Sequence, residues 1–298
     1  MSVSVMKVGG SCLTDIDSLG QLDKISKIWP FNVIVVSAFK GVTDALYGAY
    51  YSLHRSEYVE ALIRRYSKEL SKRNLETEDF IFNRILSLMR FSGVGDFTKK
   101  VDECNIDFYV SLGEQISGAV CTIYLEDRYD AIYMDSIETG ILIRRVDDVN
   151  KIDLDRSIQL RNEKLEEYLG KKTIITTGFY GLDEFGKVAI AGRNSSDYVA
   201  SVLAVKFGAD KLILFKDVDG IYRTDPRLIS SISPIGEMDY EEATKYSIKG
   251  GIIHPDAVRI CGENNVIIHV MGYHSLKVGT IVRPFVNGKT KLYFPETA

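Results

Sequence analysis

Cysteine is scarce in this chain, and none of it is paired in sequence. Cys12, Cys104, Cys121 and Cys261 are scattered over 298 residues with no C-x-x-C spacing. That pattern excludes a zinc knuckle and a dithiol redox motif, and scattered thiols in a chain this long point to a reducing, cytoplasmic setting. A basic block is missing as well. The formal net charge is -4, which argues against a nucleic-acid partner, because duplex binding relies on many Lys and Arg contacts to phosphate. No apolar run reaches the length of a membrane span, so no membrane partner is expected. The short run at 1–10, interrupted by Lys7, is too brief for a secretory segment. Histidine is also sparse. His54, His254, His269 and His274 form no metal or triad pattern and read as structural residues.

What is present is an α/β alternation. At roughly 100–200 residues per domain, the length fits one large domain or two tightly joined lobes. Short Val- and Ile-rich runs at 3–8, 33–38, 131–134, 173–177, 211–215 and 266–270 read as strands buried on both faces. Helical segments separate several of them. The clearest spans 197–207, with Gly208 as its C-terminal cap. Asp239 with Glu242 opens a second helix that stops at Gly250-Gly251, and Pro255 suits the first turn of a third. The segment 55–102 is polar and helix-prone, a helical insertion that covers the sheet or makes an oligomer contact. Together these features predict a three-layer α-β-α sandwich around a mostly parallel sheet. Ligands of such sheets bind beyond the carboxyl ends of the strands.

The loops there carry the chemistry. The first strand runs into Lys7-Val8-Gly9-Gly10-Ser11, where two glycines let backbone N–H groups approach a phosphate and a lysine supplies charge. A second cluster, Gly192-Arg193-Asn194-Ser195-Ser196-Asp197, follows a strand and opens a helix, an anion-favouring position. Arg193 is the residue type that grips a carboxylate with two parallel hydrogen bonds. Ser196 or Asp197 also suits a plain helix cap. Gly181, Gly186 and Lys187 match the P-loop spacing, but Val188 stands where a magnesium-binding Ser or Thr belongs. The sequence 183–186 reads instead as a hairpin turn. Asp217-Val218-Asp219-Gly220 begins like a calcium loop but loses the ligand spacing at Ile221.

Six ordered blocks resemble the aspartokinases of the amino acid kinase superfamily. Lys7 to Ser11 is similar to the family's K-F-G-G-T opening, and 35–44 to its second block. Gly113-Glu114 begins the third, Thr177-Gly178-Phe179 with Gly192 to Asp197 forms the fourth, 217–227 the fifth, and His254-Pro255 the last. The resemblance implies a single amino acid kinase domain over 1–298. Its N-terminal lobe, about 1–190, would bind an amino acid, and its C-terminal lobe, about 191–285, a nucleotide. It also implies ATP and Mg²⁺ as cofactors, L-aspartate as acceptor and a homodimer, with no metal ligands from the chain itself.

In that reading Lys7, Gly9, Gly10, Ser11, Lys216, Asp217, Tyr222 and Arg227 would serve the nucleotide. Ser37, Thr43, Glu114, Arg193 and Ser196 would hold aspartate, with Arg193 on the α-carboxylate and Glu114 near the amino group. Lys7 and Asp197 would be catalytic, Asp197 organising the active-site lysine. An aspartate side chain, with a pKa near 3.9, is already an anion and needs no general base. The implied product is 4-phospho-L-aspartate, the first intermediate toward lysine, threonine and methionine.

Several positions depart from the family. Gln115 stands where it has an arginine, Asn194 and Ser195 replace paired glycines, Lys216 stands where threonine is common, and Gly251 stands where a lysine usually reaches the nucleotide. Lys216 or Lys249 is expected to supply that missing charge. The stretch after Val282 is too short for an ACT regulatory domain, so feedback control within the chain is not expected, and a separate regulatory subunit is an open matter. Two rival readings stay open: a related kinase acting on glutamate, carbamate or a phosphate monoester, and a non-catalytic nucleotide-binding subunit.

Overall fold

A computed structural model describes residues 3–284 apart from 30–31, 74–75, 90–96, 193, 225, 227, 229–231 and 251, and apart from the side chains of 249 and 250. Its centre is one eight-stranded sheet. The strands in chain order are β1 (Val5–Val8), β2 (Val33–Val36), β3 (Ala131–Tyr133), β4 (Ile143–Val146), β5 (Val149–Ile152), β6 (Thr173–Thr177), β7 (Tyr180–Leu182), β8 (Val188–Ile190), β9 (Lys211–Lys216), β10 (Glu237–Met238), β11 (Ile267–Gly272) and β12 (Val278–Val282). The sheet order is β10-β12-β11-β9-β1-β2-β6-β3, and its pairings are parallel except β11 with β12. β4–β5 and β7–β8 are separate hairpins.

Alternation along the strands divides the core in two. Met6, Val8, Ile34, Val36 and Ile175 point into one apolar layer, and Val5, Val33, Val35, Ile174 and Leu214 into the other. Successive side chains of a strand face opposite sides, so a strand with both sides covered must be apolar throughout. Helices α1 (Leu19–Ile28), α2 (Val42–Ala49), α3 (Arg55–Ser71), α4 (Glu78–Leu88), α5 (Phe97–Glu103) and α6 (Ile106–Tyr129) cover the first side. Helices α7 (Leu154–Gln159), α8 (Glu163–Tyr168), α9 (Ser196–Lys206), α10 (Tyr240–Gly250) and α11 (Pro255–Glu263) cover the second. The layered sandwich read from the sequence is the observed architecture.

The helical insertion covers the sheet side: α3 and α4 pack on α6, and Tyr66 of α3 stacks on Phe39 at 4.5 Å. Among the described residues no helix is long and apolar enough to cross a membrane. All four cysteines are free.

Local chemistry places the loops that matter. The hairpin expected at 183–186 forms: the Asp183 N–H donates to the Lys187 carbonyl at 2.8 Å, so Lys187 belongs to no phosphate-binding helix. Asp239 caps α10 through the Glu242 N–H at 2.7 Å. His254 caps α11, accepting from the Asp256 N–H at 3.2 Å, with Pro255 in the first turn. The end of β6 turns against the start of α9 so closely that a Cβ on Gly178 would lie 2.5 Å from Ser196 Cβ. Only glycine permits that approach.

Candidate active site

A cleft of about 720 Å³ opens beyond the carboxyl ends of β1, β2 and β9, where a parallel sheet presents its loops. Lys7, Gly9, Gly10, Ser11, Ser37, Thr43, Glu114, Ser196, Asp197, Lys216 and Asp217 line it together. Tyr222 is not part of its wall. Arg193, Arg227 and Gly251 lie outside the described residues, as does the side chain of Lys249.

Asp197 is the electrostatic hub of the cleft. It follows Ser196, the first residue of α9, and is almost fully buried at 4% exposure. No side-chain cap is made at this helix start, so the capping role considered for Asp197 is not the one observed. Its carboxylate instead lies between two lysines. Lys7 Nζ is 2.8 Å from Oδ1, and Lys216 Nζ donates to Oδ2 at 2.7 Å. The backbone N–H of His254 adds a longer contact to Oδ2 at 3.3 Å.

Burial works against ionisation of Asp197, but the charges of Lys216 and Lys7 outweigh it and hold the carboxyl below its ordinary value. Burial likewise lowers Lys216, opposed by Asp197. Both lysines face the same side of the sheet. In the β1–β9 register Lys7 lies beside Leu214 and Val8 beside Phe215, so Lys216 comes two positions further toward the cleft than Lys7, on the same face.

The glycine loop runs against this cluster. A Cβ on Gly9 would lie 3.1 Å from Lys7 Nζ, and one on Gly10 would lie 2.8 Å from the Ala38 carbonyl oxygen. Backbone therefore passes close to the ammonium, leaving room for an anion where side chains would stand.

Toward β2 the wall changes character. Glu114, in the middle of α6, is 3% exposed. Its Oε1 accepts the Ala38 N–H at 3.3 Å, and its Oε2 has no hydrogen-bond partner among the described residues. Burial raises its carboxyl to about 8. One turn along α6, Ser117 Oγ donates to the Ser37 carbonyl at 2.8 Å, which holds α6 against the end of β2. Ser37 Oγ in turn donates to Ser196 Oγ at 3.0 Å. The residue after Glu114, Gln115, is absent from the wall and donates to Ser111 at 3.0 Å.

The wall also holds residues to which the sequence assigns no site role, His254, Asn194 and Phe179 among them. His254, which reads as structural in the sequence, lines the cleft and stacks on Tyr198 at 5.4 Å. The His254-Pro255 pair was the available signal. Asn194 and Phe179 both have positive φ, 61° and 76°. For a bulky residue such as Phe that conformation is strained, and strain of this kind concentrates at binding sites.

Comparison with known proteins gives a consistent picture. The model of the amino acid kinase family matches residues 2–272. An aspartokinase of Bacillus sp. (strain MGA3) is 28% identical over 190 residues, 63% of this chain and 45% of that protein. The lysine-sensitive aspartokinase 3 of Escherichia coli (strain K12) is 27% identical over 265 residues, 85% of this chain and 58% of that protein. The chain thus spans about half the length of these curated relatives. Among solved structures, E. coli aspartokinase III in complex with aspartate and ADP superposes with a TM-score of 0.76 at 23% identity, covering 96% of this chain and 65% of that one. The aspartate kinase of Clostridium acetobutylicum gives 0.76 at 21% identity, covering 97% and 65%. At such identities the structural likeness shows a shared fold.

Proposed function

This chain belongs to the amino acid kinase family, and from that premise we propose that it is an aspartate kinase, moving the terminal phosphoryl group of ATP to the side-chain carboxylate of L-aspartate. One observation carries the reading. A single cleft joins a cationic end, where two lysines share the Asp197 carboxylate, to a second end where a buried glutamate has one oxygen without a partner among the described residues. The first end suits a polyphosphate. The second suits an ammonium group, since a buried carboxylate oxygen gains most from a cationic donor.

The chemistry follows from charge. The acceptor carboxylate oxygen attacks the terminal phosphorus as the bond from phosphorus to the bridging oxygen breaks, and ADP leaves with that electron pair. No proton moves, because the acceptor is already ionised. Asp197 is not the base in any case, as both its oxygens are engaged by ammonium groups. The barrier lies in bringing two anions together, and Lys7 with the Gly9-Gly10 amides would offset it.

Among the described residues no cluster of three His, Cys, Asp or Glu side chains could hold a metal. Asp44 and Asp217 line the cleft singly. That fits Mg²⁺ carried mainly by phosphate and water with one carboxylate at most, where it would supply further charge neutralisation. Ser37, Thr43 and Ser196 would orient the acceptor. Arg193, Tyr222 and Arg227 are assigned by resemblance, as are the homodimer and the lobe division near residue 190, while the cytoplasmic setting rests on the scattered thiols.

Coupled ADP release with aspartate, glutamate, carbamate and UMP tests the assignment. Aspartate is expected to give the highest kcat/KM. Turnover with another acceptor at higher kcat/KM would replace the assignment, and no ADP release with any of them would favour a binding subunit.

A further inference from the structure

Ile190 is the last residue of β8, at the mouth of the turn that leads into α9. The next residue, Ala191, donates its N–H to the Phe179 carbonyl across the β7–β8 hairpin at 2.7 Å. Alternate residues of an antiparallel pair turn their polar groups inward and outward. The N–H and C=O of Ile190 therefore face the outer edge of this two-stranded sheet. Two side chains from other elements stand in for a third strand. Asp107 Oδ2, in the first turn of α6, accepts the Ile190 N–H at 3.2 Å, and Asn150 Nδ2, on β5, donates to the Ile190 carbonyl at 3.0 Å.

This clamp joins the two halves of the acceptor side. Glu114 comes seven residues after Asp107 on α6, about two turns or 10 Å further along the same helix face. Ser196 comes six residues after Ile190 and opens α9. Phe179, Asn194 and Ser196 line the cleft together with Glu114. The turn between Ile190 and Ser196 is tight: Gly192 and Asn194 have φ of 92° and 61°, and Ser195 Oγ donates to the Gly192 carbonyl at 2.7 Å. A turn this short passes a displacement of its first residue on to its last. The β4–β5 hairpin braces the far end too, because Tyr198 Oη on α9 donates to the Ile152 carbonyl at 3.4 Å. Strand β5 thus holds the chain before the turn through Asn150 and after it through Ile152.

We propose that Asp107 and Asn150 are positioning residues that fix the β8-to-α9 turn against α6 and so set the gap between Glu114 and Ser196 in which the acceptor sits. The proposal rests on reading that end of the cleft as the acceptor side, but not on which acceptor it takes. It gives the β4–β5 hairpin, which lies outside the main sheet, a part in acceptor binding.

The test compares Asn150→Asp, Asp107→Ala and Asp107→Asn with the wild-type full chain. Asn150→Asp keeps the shape but sets an oxygen against the Ile190 carbonyl, whereas Asp107→Asn keeps an acceptor for the Ile190 N–H. Both side chains are half-buried, and a thermal melt accompanies each variant. In steady-state kinetics with aspartate and ATP, Asn150→Asp and Asp107→Ala are expected to raise the acceptor KM about tenfold, the usual loss for a hydrogen bond to a charged group. ATP KM and kcat should stay within about threefold, and Asp107→Asn should recover most of the loss. Amide hydrogen exchange around Ser195 and Ser196 needs no turnover, and it should quicken in the same two variants but not in Asp107→Asn. A lowered Tm with both KM values unchanged, both KM values raised equally, or unchanged exchange near Ser196 would each overturn the proposal and leave the two bonds as structural supports. If one variant fails to fold, the other decides. Wild-type protein that turns over no acceptor would remove the acceptor assignment, and the exchange measurement would then decide the clamp alone.

Discussion

Glu114 accepts a hydrogen bond from the backbone of Ala38 at 3.3 Å through one carboxylate oxygen, while its other oxygen is buried beside the cleft with no partner among the described residues. The Ala38 N–H is one of the few groups that favour the charged form here, and burial outweighs it, raising the carboxyl to about 8. Near neutral pH the empty site therefore holds Glu114 largely protonated. An ammonium-bearing acceptor needs the ionised form, so its binding should release a proton. Acceptor affinity is expected to rise with pH and to level off above about 8, by at most about tenfold per pH unit. Acceptor titrations across that range check it, and Glu114→Gln should flatten the profile and weaken binding.

The same group makes a stability prediction with a defined sign. Its folded value, about 8, lies above its ordinary value of 4.5. The stabilisation from keeping it neutral is complete below the ordinary value and is lost as pH rises through the folded one. Thermal melts of the ligand-free protein should fall between about pH 4.5 and pH 8 more steeply for the wild type than for Glu114→Gln, and the difference should level off above about pH 8.

Asp197→Asn should destabilise the fold by roughly 3–5 kcal/mol near neutral pH, because it leaves two buried ammonium groups without their carboxylate. Asp197 is held below its ordinary value of 3.8. Its contribution is therefore present above that value and is lost as pH falls through the lowered one. Denaturant titrations should show the gap between wild type and variant wide near pH 7 and narrower in strong acid. A gap that does not change with pH would mean the ion pairs are not its source.

Lys7→Ala should lower kcat by about a hundred- to a thousandfold, the usual loss when one preorganised electrostatic contact is removed. Steady-state kinetics with a circular-dichroism control measure this. Near-normal turnover would take Lys7 out of the phosphate site.

Gly178→Ala should disturb the acceptor side without touching the lysines directly. Its new Cβ would lie 2.5 Å from Ser196 Cβ and 2.7 Å from Ser196 Cα, so the start of α9 must shift. Overpacking of this kind costs about 1–3 kcal/mol, and acceptor KM should rise more than that of ATP.

The sheet was legible because buried parallel strands are short Val- and Ile-rich runs, and β1, β2, β6 and β9 are of that kind. Boundaries were less so. The run at 33–38 leaves the sheet after Val36, and Ala38 turns its N–H toward Glu114. That is a tertiary contact which no local pattern encodes. The β4–β5 hairpin was not anticipated, because its strands carry Arg144, Arg145 and Lys151 in place of an apolar alternation. Its turn did leave a trace in Asp147-Asp148, whose φ values of 49° and 61° are those of a tight hairpin turn.

At the site, the residue types around the glycine loop and the start of α9 were readable. Their geometry was not. Lys7 and Asp197 are 190 positions apart, and their contact depends on β1 lying beneath α9. The second lysine on Asp197 follows from the β1–β9 register, and the backbone N–H of His254 from the turn into α11. Both are properties of the folded layers.

The central claim is tested most directly by incubating the purified chain with ATP, Mg²⁺ and L-aspartate in the presence of hydroxylamine and measuring the hydroxamate formed. The account predicts aspartyl hydroxamate accumulating in step with ADP, and its abolition in Lys7→Ala. ADP release without hydroxamate, or hydroxamate formed from another carboxylate and not from aspartate, would contradict it.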